Sequence, residues 1–122
     1  MQNLDFYCMK YGQQIAEKKT AEQNLRKALG VLQEDGVYSM FLFLEKQEDA
    51  IRKDGLIHLL NDETIKKSLG RDSAFPEDFL GFCQELQQIA SNLSRLLFTK
   101  KLMERTLIYA LYHTKAKEAY QQ

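Results

Sequence analysis

A regular row of basic and aromatic residues is the clearest candidate for chemistry in this chain of 122 residues. Lys101, Arg105, Ile108, Tyr112 and Lys115 follow one another at spacings of four, three, four and three. These spacings place side chains on one face of an α-helix. Cations at such intervals can contact successive phosphate groups, and an aromatic ring among them can stack on a base. The row therefore predicts a phosphate-binding face, the alternative being a solvated face with no ligand.

Other cations flank this row or lie near the N-terminus. Arg95 and Lys100 precede the row, Lys117 follows it, and Lys10 belongs to the N-terminal group. The complete predicted set of RNA-contacting residues is Lys18, Lys19, Arg26, Lys27, Lys101, Arg105, Tyr112, Lys115 and Lys117.

The net charge is zero, but its distribution along the chain is uneven. Residues 1–33 carry five basic and three acidic side chains, residues 34–94 carry six and twelve, and residues 95–122 carry six and two. A neutral chain of this kind is a poor nonspecific binder of nucleic acid by itself. The basic ends instead indicate contact with a polyanion or with an acidic neighbour.

The motifs of the common enzyme classes do not occur. The two histidines and two cysteines have no metal-ligand spacing, so neither a metal nor a cofactor is expected. Neither a glycine-rich phosphate loop nor a Gly-x-Ser-x-Gly nucleophile motif occurs in the sequence. We therefore expect a protein that is not an enzyme.

One weaker catalytic pattern is the pair Arg52 and His58, six residues apart. This pair resembles the R-x(4 to 6)-H element of the HEPN family of helical ribonucleases. The resemblance implies that histidine and arginine from two protomers act on a ribose 2′-hydroxyl. Gly55 is expected to interrupt the helix that should carry the pair. The alternative places His58 on the partly buried face of a short helix.

Apolar residues repeat at helical intervals over most of the chain. Helices are predicted from Leu4 toward Lys19 and from Leu102 to Thr114. Between them, a helix of about 14 residues is predicted to open with a Thr20-x-x-Gln23 capping box and to end at Asp35-Gly36. The pattern from Phe79 to Leu97 predicts a long helix with Pro76 in its first turn and Ser73 or a neighbour as its cap. Ser91-Asn92 and Ser94 could also divide that helix in two.

The segment 37–44 could form a strand or a helix, since it is rich in aromatic and apolar residues. A helix is favoured because the chain offers no second strand to pair with it. A helix apolar on all sides is expected to be central and buried. The sequence thus predicts an all-α, compact, single-domain bundle of five to seven helices over residues 1–122.

The two cysteines, Cys8 and Cys83, lie in apolar helical patterns and are expected to be reduced and buried. The longest uncharged stretches are about half the roughly 20 residues that a membrane-spanning helix requires. The N-terminus lacks the pattern of a secretory signal. A cytoplasmic location is therefore expected.

Two segments resemble one protein family. Residues 29–44, LGVLQEDGVYSMFLFL, look like the segment L-P-x-L-I-x-x-x-G-L-x-x-x-L-A-F-L of the small subunit, the fifth Cmr subunit, of type III-B CRISPR effector complexes. Residues 104–117 are similar to that family's C-terminal segment T-x-E-A-L-x-x-L-x-W-L-K-R-x-A. Gly30 stands where the family has proline, and Tyr112 lies near its tryptophan. The family's terminal Lys-Arg pair is reduced to Lys115 and Lys117.

The resemblance implies a non-catalytic subunit of an antiviral RNA-guided complex. Copies would stack head to tail beside the backbone RAMP subunit, reach the Cas10-type large subunit, and help to hold crRNA and target RNA. Arg105, Lys115 and Lys117 would face RNA by this resemblance, whereas Lys18, Lys19, Arg26 and Lys27 rest on charge alone. The alternatives are a helical protein-interaction module, such as an adaptor or inhibitor, and a HEPN-like ribonuclease.

Overall fold

The protein is an all-α bundle. A computed structural model describes residues 3–121, with side chains over residues 3–117. In these residues there are seven α-helices, a π-helical turn and no strand, which confirms the predicted fold class. The helices are α1 Leu4–Glu17, α2 Glu22–Asp35, α3 Val37–Gln47, α4 Ile57–Asn61, α5 Glu63–Ser68, α6 Phe79–Ala90 and α7 Leu93–Gln121, with the π-helical turn Arg52–Leu56 directly before α4.

The pair α1 and α7 forms the largest helix–helix interface, and the two helices run in the same direction. Asp5, early in α1, contacts Arg105, whereas Gly12, about two turns later, lies against Thr106 and Ala110. A Cβ atom on Gly12 would lie 2.8 Å from the Thr106 carbonyl oxygen. The glycine therefore permits a close approach that any larger residue would prevent.

The α2–α3 corner forms as predicted, but the start of α2 does not. Gly36 has φ 98° and its N–H donates to the carbonyl groups of Val31 and Leu32, so it ends α2. The predicted Thr20 capping box is wrong, because the Thr20 hydroxyl donates to the Ile15 carbonyl at 2.8 Å. The side chain of Glu48, which follows α3, instead accepts hydrogen bonds from the N–H of Ala21 and the amide of Asn24. The first helix accordingly ends at Glu17 rather than near Lys19.

The ambiguous segment 37–44 is helical, as predicted, but α3 is not buried on all sides. Val37, Met40, Phe41 and Leu44 face the core. Tyr38 and Leu42, on the other side, are 39% and 44% exposed. The lack of a second strand to pair with it correctly predicted a helix, whereas the central position predicted for that helix is wrong.

The long pattern ending at Leu97 is divided between two helices at Asn92. The Asn92 side chain accepts a hydrogen bond from the N–H of Arg95 at 3.0 Å, which caps α7. Asp78 caps α6 through the N–H of Gly81 at 2.7 Å. Pro76 therefore precedes α6 instead of lying in its first turn, and the proposed Ser73 cap is wrong.

A π-helical turn carries the only fully buried charged side chain among the described residues, that of Arg52. Its guanidinium donates to both Asp49 carboxylate oxygens, at 2.9 and 3.0 Å, and to the Glu77 carbonyl at 2.9 Å. It also lies 5.0 Å from the centre of the Phe82 ring. Arg52 thus joins this turn to the start of α6. Gly55 continues the helical chain here, contrary to the expected interruption.

Both cysteines are free and buried, as predicted. Burial raises the pKa of the Cys8 and Cys83 thiols, which favours their protonated, unreactive form. In the part of the chain that the structure describes, every helix is too short or too polar to cross a bilayer.

The hydroxyl group of the buried residue Tyr11 should lower the free energy of unfolding in alkali. Burial, together with a 2.6 Å hydrogen bond donated to Asp62, raises the pKa of Tyr11 well above its ordinary value. The folded state then holds this proton more tightly than the unfolded state does. The contribution is complete below about pH 10 and decreases as the pH rises above it, by at most about 1.4 kcal/mol per pH unit.

We expect Tyr11→Phe to make the alkaline fall in the free energy of unfolding less steep than in the wild type. Urea unfolding at a series of pH values around about pH 10 measures this slope. Tyr112→Phe is the matched control, since Tyr112 is 66% exposed. Equal slopes for the wild type and Tyr11→Phe would contradict the assignment.

Candidate nucleic-acid interface

The predicted row of cations lies on the outer face of α7. Met103, Thr106, Leu107 and Ala110 are buried on one side of this helix. On the opposite side Lys101, Arg105, Tyr112 and Lys115 are exposed and Ile108 is half-buried. We call the five residues Lys101, Arg105, Ile108, Tyr112 and Lys115 the α7 ridge. The structure thus brings together the residues that the spacing grouped.

Arg105 is not a free cation within this ridge. Its guanidinium donates from Nε and Nη2 to Asp5 Oδ1, at 2.9 and 2.6 Å. The Tyr109 hydroxyl donates to the other Asp5 oxygen at 2.6 Å. Hydrogen bonds from Tyr109 and Arg105 lower the pKa of Asp5, so this carboxylate stays ionised. Asp5 therefore offsets one positive charge of the α7 ridge.

An apolar cleft lies beside the α7 ridge, between α1 and α7. It has a volume of about 380 Å³, and its apolar lining consists of Leu4, Cys8, Phe98 and Leu102. Three charged residues, Asp5, Lys101 and Arg105, also line it. An apolar slot with cations at its edge can accept a flat ring while its phosphate meets the cations. The cleft was missed from sequence because its walls come from helices about ninety residues apart.

The C-terminal and N-terminal cations meet at one end of the bundle. Lys117 is exposed and lines a shallow cavity with Glu17 and Ala16 of α1. Lys18 and Lys19 directly follow α1 and are exposed. The structure therefore places these three lysines at the same end of the α1–α7 pair. Glu17, which has the opposite charge, lies there as well.

The α2 cations and the flanking residues of α7 have different surroundings. Arg26 and Lys27 are exposed on α2, and Arg26 forms an ion pair with Glu22 at 3.0 Å. The Lys100 ammonium donates to the Gln33 carbonyl at 3.4 Å, which joins α7 to the end of α2. Neither arrangement extends the α7 ridge by contact.

Arg52 and His58 lie in different environments. The Arg52 side chain has no exposed surface, and its guanidinium is bound to Asp49 and to the Glu77 carbonyl. His58 is exposed, so its predicted place on a partly buried face is wrong. A buried, bound arginine is not available to hold an RNA phosphate in this conformation. The geometry therefore gives the HEPN-like pair no support.

Metal ligation has no basis in the geometry of residues 3–117. Histidine, cysteine, aspartate and glutamate side chains do not come together there in a group of three that could hold an ion.

Comparison with known proteins does not supply a relative: no family model matches the chain, and no curated protein or solved structure is significantly similar to it.

Proposed function

We propose that the protein is the non-catalytic small subunit of a type III-B CRISPR effector complex in the cytoplasm, and that its α7 ridge contacts RNA. The observation that carries this proposal is the ridge itself, an exposed row of cations with Tyr112 on it, next to an apolar cleft. Such a surface suits a sugar–phosphate backbone and unstacked bases without reading a sequence.

The positions of the two family-like segments support the proposal. Residues 29–44 form the end of α2, the glycine corner and most of α3, while residues 104–117 lie within α7. Both α2 and α3 contact α7. The helices that carry the two family-like segments therefore contact each other, as expected if the family pattern specifies a common core.

The proposed stacking of copies rests on the charge distribution. Residues 34–94 are acidic and residues 95–122 are basic, so the two regions can attract each other between copies. One copy with zero net charge is expected to bind RNA weakly. An array of copies presents several ridges to one RNA and gains affinity from their linkage.

A protein-interaction module is the second candidate, and exposed leucines favour it. Leu80, Leu93 and Leu97 are 77%, 69% and 55% exposed, respectively. Leu93 and Leu97 are one turn apart at the start of α7. Such residues can pack against a protein partner without any RNA.

The test is isolation of the tagged protein from its native host. We expect mass spectrometry to find a polymerase-like large subunit and RAMP subunits, and sequencing to find short repeat-tagged RNAs and target RNA.

Changing Arg105, Lys115 and Lys117 together to glutamate should reduce retained target RNA about tenfold or more and keep the protein partners, because three phosphate contacts are lost. Asp5→Asn should raise retention up to about threefold, because it releases Arg105.

The matched control changes Lys46, Lys53 and Lys67 together to glutamate, since these lysines are exposed and lie outside the α7 ridge. This variant has the same net charge as the triple variant of Arg105, Lys115 and Lys117. Equal RNA retention by the two variants would refute the role of the ridge. Recovery of one protein partner without RNA would instead favour the interaction module.

A further inference from the structure

A polar cavity lies away from the α7 ridge, where the loop after α5 meets α6 and the start of α7. Its volume is about 230 Å³. Its polar lining comes from three elements: Gly70, Arg71, Asp72 and Ser73 of the loop, Gln88 of α6 and Arg95 of α7.

Arg71 is buried at this cavity with part of its hydrogen-bonding capacity unused. Its side chain is 7% exposed and donates from Nη2 to Glu85 at 3.0 Å. Its guanidinium lies 4.1 Å from the centre of the Phe75 ring. The Nε atom is buried and has no acceptor among the described residues. Leaving a buried charged donor without an acceptor is unfavourable, so Arg71 is a cation that its protein surroundings do not fully satisfy.

Arg95 supplies a second guanidinium to the same cavity. It is exposed, and in the described structure its side chain makes no hydrogen bond or ion pair. Gly70 makes room for it: a Cβ atom on Gly70 would lie 2.7 Å from Arg95 Nη2. With φ 69°, Gly70 also has a left-handed backbone that favours glycine. The loop conformation and the absent side chain thus let both arginines line one cavity.

The charges around the cavity favour an anion with several oxygens. Glu85 offsets part of the Arg71 charge and holds its guanidinium in place, and Asp72 is the one carboxylate among the lining residues. Two planar guanidinium groups present more donors than these carboxylates occupy. A tetrahedral oxyanion in the cavity can accept from the guanidinium groups of Arg71 and Arg95 together.

We propose that Arg71 and Arg95 bind a phosphoryl group, either as inorganic phosphate or as the phosphate monoester of a nucleotide. The Ser73 hydroxyl and the Gln88 amide are additional donors on the wall of the cavity. This site does not depend on the proposed function, because neither its geometry nor its ligand involves the α7 ridge.

The test is calorimetric titration of the full chain with inorganic phosphate, AMP and adenosine at constant ionic strength. We expect phosphate and AMP to bind and adenosine not to bind. A tenfold preference for AMP would identify a phosphate monoester as the ligand, whereas equal affinity would identify phosphate itself, and either result supports the site.

Arg95→Gln should weaken binding about tenfold, because it removes one charge-assisted contact. Arg95 is exposed, so this variant tests the site without changing the core. Lys67→Gln is the matched control, since Lys67 is an exposed cation of α5 that does not line the cavity. Absence of phosphate binding, or equal affinity in the wild type and Arg95→Gln, would overturn the proposal.

Discussion

Replacing Arg52 by alanine should lower the free energy of unfolding by about 3 kcal/mol. The change removes a bidentate ion pair with Asp49 and the hydrogen bond to the Glu77 carbonyl. It also leaves an empty volume beside the Phe79 and Phe82 rings, over which the guanidinium lies. Urea unfolding followed by circular dichroism measures the effect.

The control for this prediction is Arg26→Ala on α2. Arg26 also pairs with an acidic residue of its own helix, Glu22, but its side chain is 55% exposed. An exposed pair of this kind contributes less than about 1 kcal/mol. If Arg52→Ala were no more destabilising than Arg26→Ala, Arg52 would not connect the π-helical turn to α6 in the way described.

Replacing Gly12 by leucine should destabilise the fold by about 2 kcal/mol or more, because the side chain would force α1 and α7 apart. Even the first carbon atom of that side chain would lie 2.8 Å from Tyr109 Cβ and from the Thr106 carbonyl oxygen. Both of these atoms belong to the backbone or to the base of a side chain, so neither can move without the helix. Thermal and urea unfolding would show the loss.

Gly30→Ala gives the matched comparison within α2. A Cβ atom on Gly30 would meet nothing within 4 Å. Alanine should therefore stabilise α2 by about 0.5–1 kcal/mol, because it restricts the unfolded chain more than glycine does. Gly12→Ala should act in the opposite direction. The same sign at both positions would show that the α1–α7 contact tolerates a side chain.

Local patterns in the sequence predicted the helices because burial repeats at helical intervals. They failed where the outcome depended on which other element packs against a helix or caps it. Thr20 matches a capping motif, but Glu48, from the end of another helix, caps α2 instead. The absence of a second strand predicted a helix for α3, yet its apolar sequence could not show which face lacks a covering element, and Tyr38 and Leu42 are exposed.

The sequence predicted which residues share the face of the α7 ridge, but not which of their charges is paired with a residue of another helix. Spacing alone grouped the α7 ridge, because its members belong to one helix. The pairing of Arg105 with Asp5 joins residues that are 100 positions apart. Neither propensity nor periodicity carries information about such a contact. The same reason explains why sequence missed the apolar cleft and the Arg71–Arg95 cavity, which are built from separate elements.

The parallel packing of α1 on α7 has a consequence for biosynthesis. Contacts between these helices, such as that of Cys8 with Leu102, span 94 positions, and the hydrogen bond of Tyr109 with Asp5 spans 104. A ribosome completes α2 to α6 before it makes α7, the helix with which α1 forms its largest interface. The side of α1 that faces α7, with Cys8 and Gly12 on it, therefore waits for its partner throughout most of translation. Contacts between residues so distant in sequence slow folding relative to bundles of sequential neighbours, and they make docking of α1 on α7 a late event.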